Sequence, residues 1–304
     1  MVNRSKLITD DFRKHKIIYF MAVPVLLYYI IFHYIPIYGV VIAFKDFSPM
    51  RGVLGSSWVG FEHFQDFING IYFWRLIRNT LLISLYSIVF GFPAPILLAL
   101  MLNELRQKFF KRVVQSVSYV PHFISLMIVC GMMLEFTTLN GIVNDIVSFF
   151  GGERIAFMQD PNWFRTIFVS SGIWQEVGWG SIIYLAALSG INPQLYEAAK
   201  VDGAGRIRRI WSITIPGILP TIIIMLILRI GNVMEVGFEK IILLYNGSIY
   251  ETADVIGTYV YRRGILEMDF SFSAAVGLFN SVINFMLLIL ANWLSRRSSG
   301  SSLW

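Results

Sequence analysis

The residues able to do chemistry in this 304-residue chain fall into two groups. The first is charge set inside long apolar runs. Glu176 interrupts WFRTIFVSSGIWQEVGWGSIIYLAALS, and Arg229 interrupts IPGILPTIIIMLILRIGNVMEVG, with Asn232 and Glu235 following it. A charged side chain at the centre of a bilayer costs at least ~2.5 kcal/mol unless it faces water or a partner. These groups are therefore expected to face the interior of a helix bundle. Trp179 stands beside Glu176, and Asn280 and Asn284 lie four apart in FNSVINFMLL. Carboxylate, guanidinium, amide and indole together suit a polyhydroxylated solute, whose hydroxyls need hydrogen bonds while its ring faces pack on aromatics. The same groups could instead hold helices together, for example as a Glu176–Arg229 ion pair. The second group is the polar segment YEAAKVDGAGRIRRIWSITIPGILP, residues 196–220, which lies between those two runs.

Catalytic and metal chemistry find no residues. The sequence has no Gly-rich phosphate loop ending in GK[ST], no HExxH, no GxSxG, and no paired Cys or His at metal spacing. His33 and His122 stand alone in apolar runs and are read as hydrogen-bonded structural residues. The single cysteine, Cys130, cannot form an internal disulfide and is read as a small buried hydrophobe.

The elements that must position these residues follow from hydropathy. The chain is 56% hydrophobic and 14% charged, which places it in a membrane. Crossing about 30 Å of hydrocarbon takes roughly 20 helical residues. Six runs meet that length, at 17–44, 78–102, 115–136, 164–189, 217–238 and 273–294, and none alternates as a membrane strand would. The expected fold class is all-α, a six-helix polytopic membrane protein. Residues 17–294 form the transmembrane domain, flanked by segments 1–16 and 295–304. Loops 45–77 and 239–272 are long enough to be folded caps.

Loop charge gives the orientation. With the N-terminus inside, fifteen of the twenty-five Lys and Arg residues lie on the cytoplasmic side, against five of the nineteen acids. Both termini and the 196–220 segment are then cytoplasmic. The net charge of +6 reflects this sidedness and contact with anionic lipid. No groove-reading motif supports a nucleic-acid function.

The polar segment reads as a bracket over 190–216. Asn192 caps a short helix with Pro193 at its first position, and that helix runs to about Asp202. Gly203 and Gly205 break it. A second short helix then carries Arg206, Arg208 and Arg209, and Pro216 is expected to end it. On physics alone this is a basic amphipathic helix lying on headgroups.

EAAKVDGAGRIRRIWSITIP also resembles the signature of bacterial ABC importer permeases, with Glu197, Ala198, Ala199, Gly203, Ile213, Ile215 and Pro216 at intact spacing. SYVPHFIS at 118–125, the run 163–204, and EVGFEKIILLYN with ADVIGTYVYRRGI at 235–265 look like the six-helix permeases for oligosaccharides and polysaccharides related to the maltose importer. The resemblance implies the ABC type I importer permease fold in a bacterial inner membrane. It implies a second homologous permease forming a heterodimer, two ATP-binding cassette subunits that hold the ATP and Mg, and an extracellular solute-binding protein, with no cofactor on this chain. The bracket would be the coupling helix docked in an ATPase cleft. There Glu197 would meet a polar or basic group, Ala198 and Ala199 would allow close approach, and Asp202 and Gly203 would form the turn. Arg206 would touch the ATPase or phospholipid, and Ile213 and Pro216 would complete the motif. A same-fold permease for a non-sugar solute and a non-transporting membrane scaffold are the alternatives.

Overall fold

The computed structural model describes residues 4–299 and 302–303, with side chains described for 14–297 and 302–303. Within them the principal helices are α1 (Lys14–Phe44), α2 (Phe73–Glu104), α3 (Lys108–Phe123), α4 (Leu126–Phe136), α5 (Pro161–Ser189), α6 (Pro193–Val201), α7 (Arg206–Gly231), α8 (Phe238–Leu244), α9 (Ile256–Tyr261) and α10 (Phe270–Arg297). Of these, α1, α2, α7 and α10 are long and apolar enough to cross a membrane. The stretch expected as one span at 115–136 is instead α3 and α4, bent by 100° at Ile124–Ser125. Ser125 leaves the helix and caps α4 by accepting a hydrogen bond from the Ile128 amide. Hydropathy is blind to such a bend, because residues 113–134 carry no Asp, Glu, Lys or Arg on either side of it. At 1.5 Å per residue, the 29 residues of α5 run about 43 Å, enough to span. It is the less apolar helix because its faces are covered by protein, with Phe164, Phe168, Ser171, Gln175, Ser181 and Tyr184 all buried.

Three helices carry a π-turn with a proline two residues after it: Ile30–Tyr34 before Pro36, Ser87–Gly91 before Pro93, and Ile210–Thr214 before Pro216. A proline has no N–H for the carbonyl four residues back, and its ring crowds that carbonyl. The wider π-turn swings the carbonyl aside, so the helix continues. Pro216 therefore does not end a short helix. The second arm of the bracket and the following span are one continuous helix, α7.

The chain forms two units. One comprises the residues up to Phe67 with Arg263–Leu278, and the other comprises Ile68–Arg262 with the chain from Phe279. In the first, α1 is followed by the one strand pair among the described residues, Lys45–Asp46 antiparallel to Ser57–Trp58. Lys45 pins its loop by donating to the Val53 carbonyl at 2.8 Å. No residue of the apolar window of α1 is buried in the structure, so its side chains need lipid or another chain to cover them. In the second unit α5 is central and packs on α2, α3, α4 and α7. Two glycines set this approach. A Cβ on Gly178 would stand 1.9 Å from the Ser118 carbonyl oxygen of α3, and one on Gly180 would stand 3.1 Å from Pro95 of α2. The core above them joins Ile83, Phe164, Phe168, Ile241, Leu244 and Ile249.

Candidate functional site: a charged cavity and a bracket

The cavity grows out of a break in α7. The expected span 217–238 stops at Gly231, where the helix presses so closely on α10 that a Cβ would meet Leu288 at 2.7 Å. Asn232 caps the end, its amide donating to the Leu228 carbonyl at 2.9 Å. Residues 232–237 leave helical geometry, and Gly237 at φ +66° starts α8. Asn284 is buried on α10, and its carbonyl oxygen accepts the Met234 amide at 3.0 Å, satisfying backbone that the break exposes. Two expectations change as a result. Arg229 lies in the last turn of its helix and not halfway along a span. Glu235 sits on the irregular segment, so Arg229, Asn232 and Glu235 do not form a helical arc.

The break opens a cavity of about 730 Å³ between α2, α5, the end of α7 and the segment leading to α8. Glu176, Arg229, Asn232 and Glu235 all line it, with Ser84, Gln175 and Lys240. Glu176 does not pair with Arg229. Its Oε2 lies 3.0 Å from Nδ1 of His122 on α3. That imidazole is stacked on Trp179, with ring centroids 4.5 Å apart and planes 3° apart. Trp179 therefore orients the partner of Glu176 and is not on the cavity wall. Asn280 is also off the wall, and its Oδ1 is buried without a hydrogen-bond partner among the described residues. Cys130 is free and buried in the core.

Lys240 was not singled out by hydropathy, because a lysine in a loop segment is ordinary. The structure buries it to 7% exposure, where Nζ donates to the Phe168 carbonyl at 3.0 Å. Burial pushes its ammonium down to about 8, while Cys130 and Glu176 nearby act to hold it up. A second unanticipated cluster lies nearby in sequence. Asp254 is fully buried, held by Arg75 Nη2 at 2.8 Å and Arg262 Nη2 at 3.2 Å, with Thr258 donating at 2.9 Å. Arg262 also bonds the Tyr250 hydroxyl, and Asn79 donates to the carbonyls of Glu251 and Asp254.

The bracket stands at the other end of α7. Asn192 Oδ1 accepts the Gln194 amide at 3.0 Å, α6 runs from Pro193 to Val201, and Gly203 turns the chain at φ +75°. The turn is closed by Gly203 N–H to the Lys200 carbonyl at 3.1 Å and Ala204 N–H to the Ala199 carbonyl at 2.8 Å. Tyr196 OH, 3.0 Å from Thr214 Oγ1, ties α6 back to α7. Glu197, Ala198, Asp202 and Arg206 are exposed and Ala199 is half-buried, while Leu195, Ile207 and Trp211 are 52%, 74% and 68% exposed. Ile213 is half-buried and Pro216 exposed on α7. Tyr184, Leu188 and Ile218 pack beneath as the root of the bracket. The arrangement is a hydrogen-bonded foot with an uncovered apolar and charged sole. It is joined by one helix, about 35 Å from Arg206 to Arg229, to the wall of a charged cavity.

This chain belongs to the family of binding-protein-dependent transport system inner membrane components, matching it over residues 91–300. It is a multi-pass inner-membrane permease with the ABC type I importer fold. The chain is similar to Protein LplB of Bacillus subtilis (strain 168), 46% identical across 94% of this chain and 90% of that one. It is 45% identical to the polygalacturonan/rhamnogalacturonan transport system permease protein YteP of the same organism, across 93% of this chain and 89% of the relative. Among solved structures it superposes on a chain of a bacterial ABC transporter involved in import of the acidic polysaccharide alginate, with TM-score 0.89 and 45% identity over 96% of this chain and 99% of that one. The same TM-score, at 44% identity, covering 97% and 99%, is found for the alginate transporter in complex with an alginate pentasaccharide-bound periplasmic protein.

Proposed function

We propose that this chain is one permease subunit of an ATP-driven importer for oligosaccharides or polysaccharides. The observation that carries this reading is the near full-length likeness to a chain of a transporter that imports a polysaccharide. A second, homologous permease completes the pathway as a heterodimer. Two ATP-binding cassette subunits hold ATP and Mg and hydrolyse the nucleotide, and this chain hydrolyses none. An extracellular solute-binding protein delivers the saccharide. Both termini and the bracket face the cytoplasm, a reading supported by the excess of Lys and Arg in those segments.

The bracket transmits force. Ala198 and Ala199 leave the sole of α6 low enough for a cleft to close on it, and Glu197 offers an exposed carboxylate to a basic or polar group there. Closure of the two ATPases around ATP draws two such feet together. Because α7 is continuous, movement of its foot rotates Arg229 and the cavity wall at its far end. Glu176, Arg229 and Asn232 then supply polar contacts to sugar hydroxyls on one side of the cycle. Asn284 supports the break from behind.

Glu197→Lys reverses the exposed charge without touching packing. Cells carrying it are expected to import saccharide at least about tenfold more slowly than wild type, with equal amounts of the chain in the membrane. Wild-type uptake by this variant would remove the docking role.

A further inference from the structure

Among the described residues, Lys240 lies on the cavity wall without an ion-pair partner. Its ammonium has three N–H donors, and the structure gives it the Phe168 carbonyl oxygen at 3.0 Å and the face of the Phe168 ring at 4.8 Å. No carboxylate pairs with it among the described residues. A cation this deeply buried is costly unless an anion joins it. Gly172, one turn on from Phe168 along α5, lines the same wall, and a Cβ there would stand 3.5 Å from Nζ, an ordinary contact. Arg229, on the same wall, also lacks an ion-pair partner among the described residues. Of the acids on the wall, Glu176 acts on Lys240 only across space, beyond ion-pair contact and with its Oε2 against His122, and Glu235 is exposed. The volume, about 730 Å³, lies within the range of small-molecule sites.

We propose that the solute carried past this wall is an acidic, uronate-containing oligosaccharide, and that Lys240 binds a uronate carboxylate. The assignment rests on the saccharide-import reading and narrows its substrate class. The chemistry is consistent with two similar proteins, one of a polygalacturonan/rhamnogalacturonan transport system and one of a transporter that imports the acidic polysaccharide alginate. A hydroxyl can accept one hydrogen bond from the ammonium, whereas a carboxylate also supplies the opposite charge. Selection at this position is therefore against the neutral ester, whose carbonyl carries no charge.

The test uses the complete transporter with its binding protein in vesicles. Uptake is measured for a free oligogalacturonate and for its methyl ester, in wild type and in Lys240→Gln. The expected result is a fall of at least about tenfold in uptake of the free acid by the variant, against a smaller fall for the ester, which loses only a hydrogen bond to a neutral group. Equal amounts of assembled transporter in the vesicles show that the variant is folded. A second measurement needs no variant. The wild-type complex holding oligogalacturonate is treated with a water-soluble carbodiimide, which joins a carboxylate to an amine in contact with it. Mass spectrometry should find a uronate amide on Lys240. Equal uptake of acid and ester in both proteins, or label only on other lysines, overturns the assignment and leaves the importer reading standing. Absence of uptake for every saccharide offered, neutral ones included, overturns both.

Discussion

Asp254→Ala is expected to destabilise the second unit by about 3–5 kcal/mol, the cost of removing one member of a buried ion pair. The side chain of Asp254 is fully buried, and its two guanidinium partners, Arg75 and Arg262, are only 30% and 21% exposed. A carboxylate so placed is tolerated because both its oxygens accept hydrogen bonds, from Arg75, Arg262 and Thr258. Taking it away leaves two like charges facing each other with their desolvation uncompensated. The network also fixes the segment after α8. Arg75 of α2 holds the carboxylate, Asn79 of α2 donates to the main-chain carbonyls of Glu251 and Asp254, and Arg165 of α5 donates to Asn79 Oδ1 at 2.9 Å, so three parts of the chain are joined around this residue. Thermal unfolding in detergent should show the loss. The triple variant Asp254→Leu, Arg75→Met, Arg262→Met should recover most of it, since a wholly apolar replacement strands no charge. A single variant within about 1 kcal/mol of wild type would show that the cluster does not hold the segment.

Gly203→Pro should all but abolish transport while the chain still inserts in the membrane. Proline fixes φ near −65°, and Gly203 stands at +75°. The substitution also deletes the N–H that bonds the Lys200 carbonyl. The turn must then open, and α6 loses its angle to α7. Because Tyr196 and Ile191 root the bracket separately, the damage is confined to the foot. Gly203→Ala keeps the N–H but pays for a left-handed conformation, about 1–2 kcal/mol, so it should fall between wild type and Gly203→Pro. Uptake assays with quantified membrane levels read both. Normal uptake by Gly203→Pro would mean that the geometry of the bracket is irrelevant to transport.

What the sequence made legible was what depends on composition and on local chemistry. The long apolar runs marked the helices, and Asn192-Pro193 and Gly203 marked the bracket, because caps and positive-φ turns are decided within a few residues. What it hid was direction and pairing. A charge-free run reads alike whether straight or bent, so the break at Ile124–Ser125 and the end of α7 at Gly231 did not register. Signals for both were present, in Ser125 ahead of an apolar run and in Gly231-Asn232. Pro216 misled because its effect depends on the π-turn before it. The partners of Glu176 and Asp254 lie 54, 179 and 8 residues away, at His122, Arg75 and Arg262, and such pairings are fixed by packing alone. Lys240 carried no signal until α8 folded onto Phe168.

The central claim is that the exposed bracket is the seat of an ATPase. A photo-cross-linking side chain in place of Ala198 reads this most directly, in membranes containing the complete transporter. The account predicts one adduct, of this chain with an ATP-binding cassette subunit, lost when Gly203 is also changed to Pro. Adducts with phospholipid alone, in membranes where the ATPase is present and transport proceeds, would contradict it.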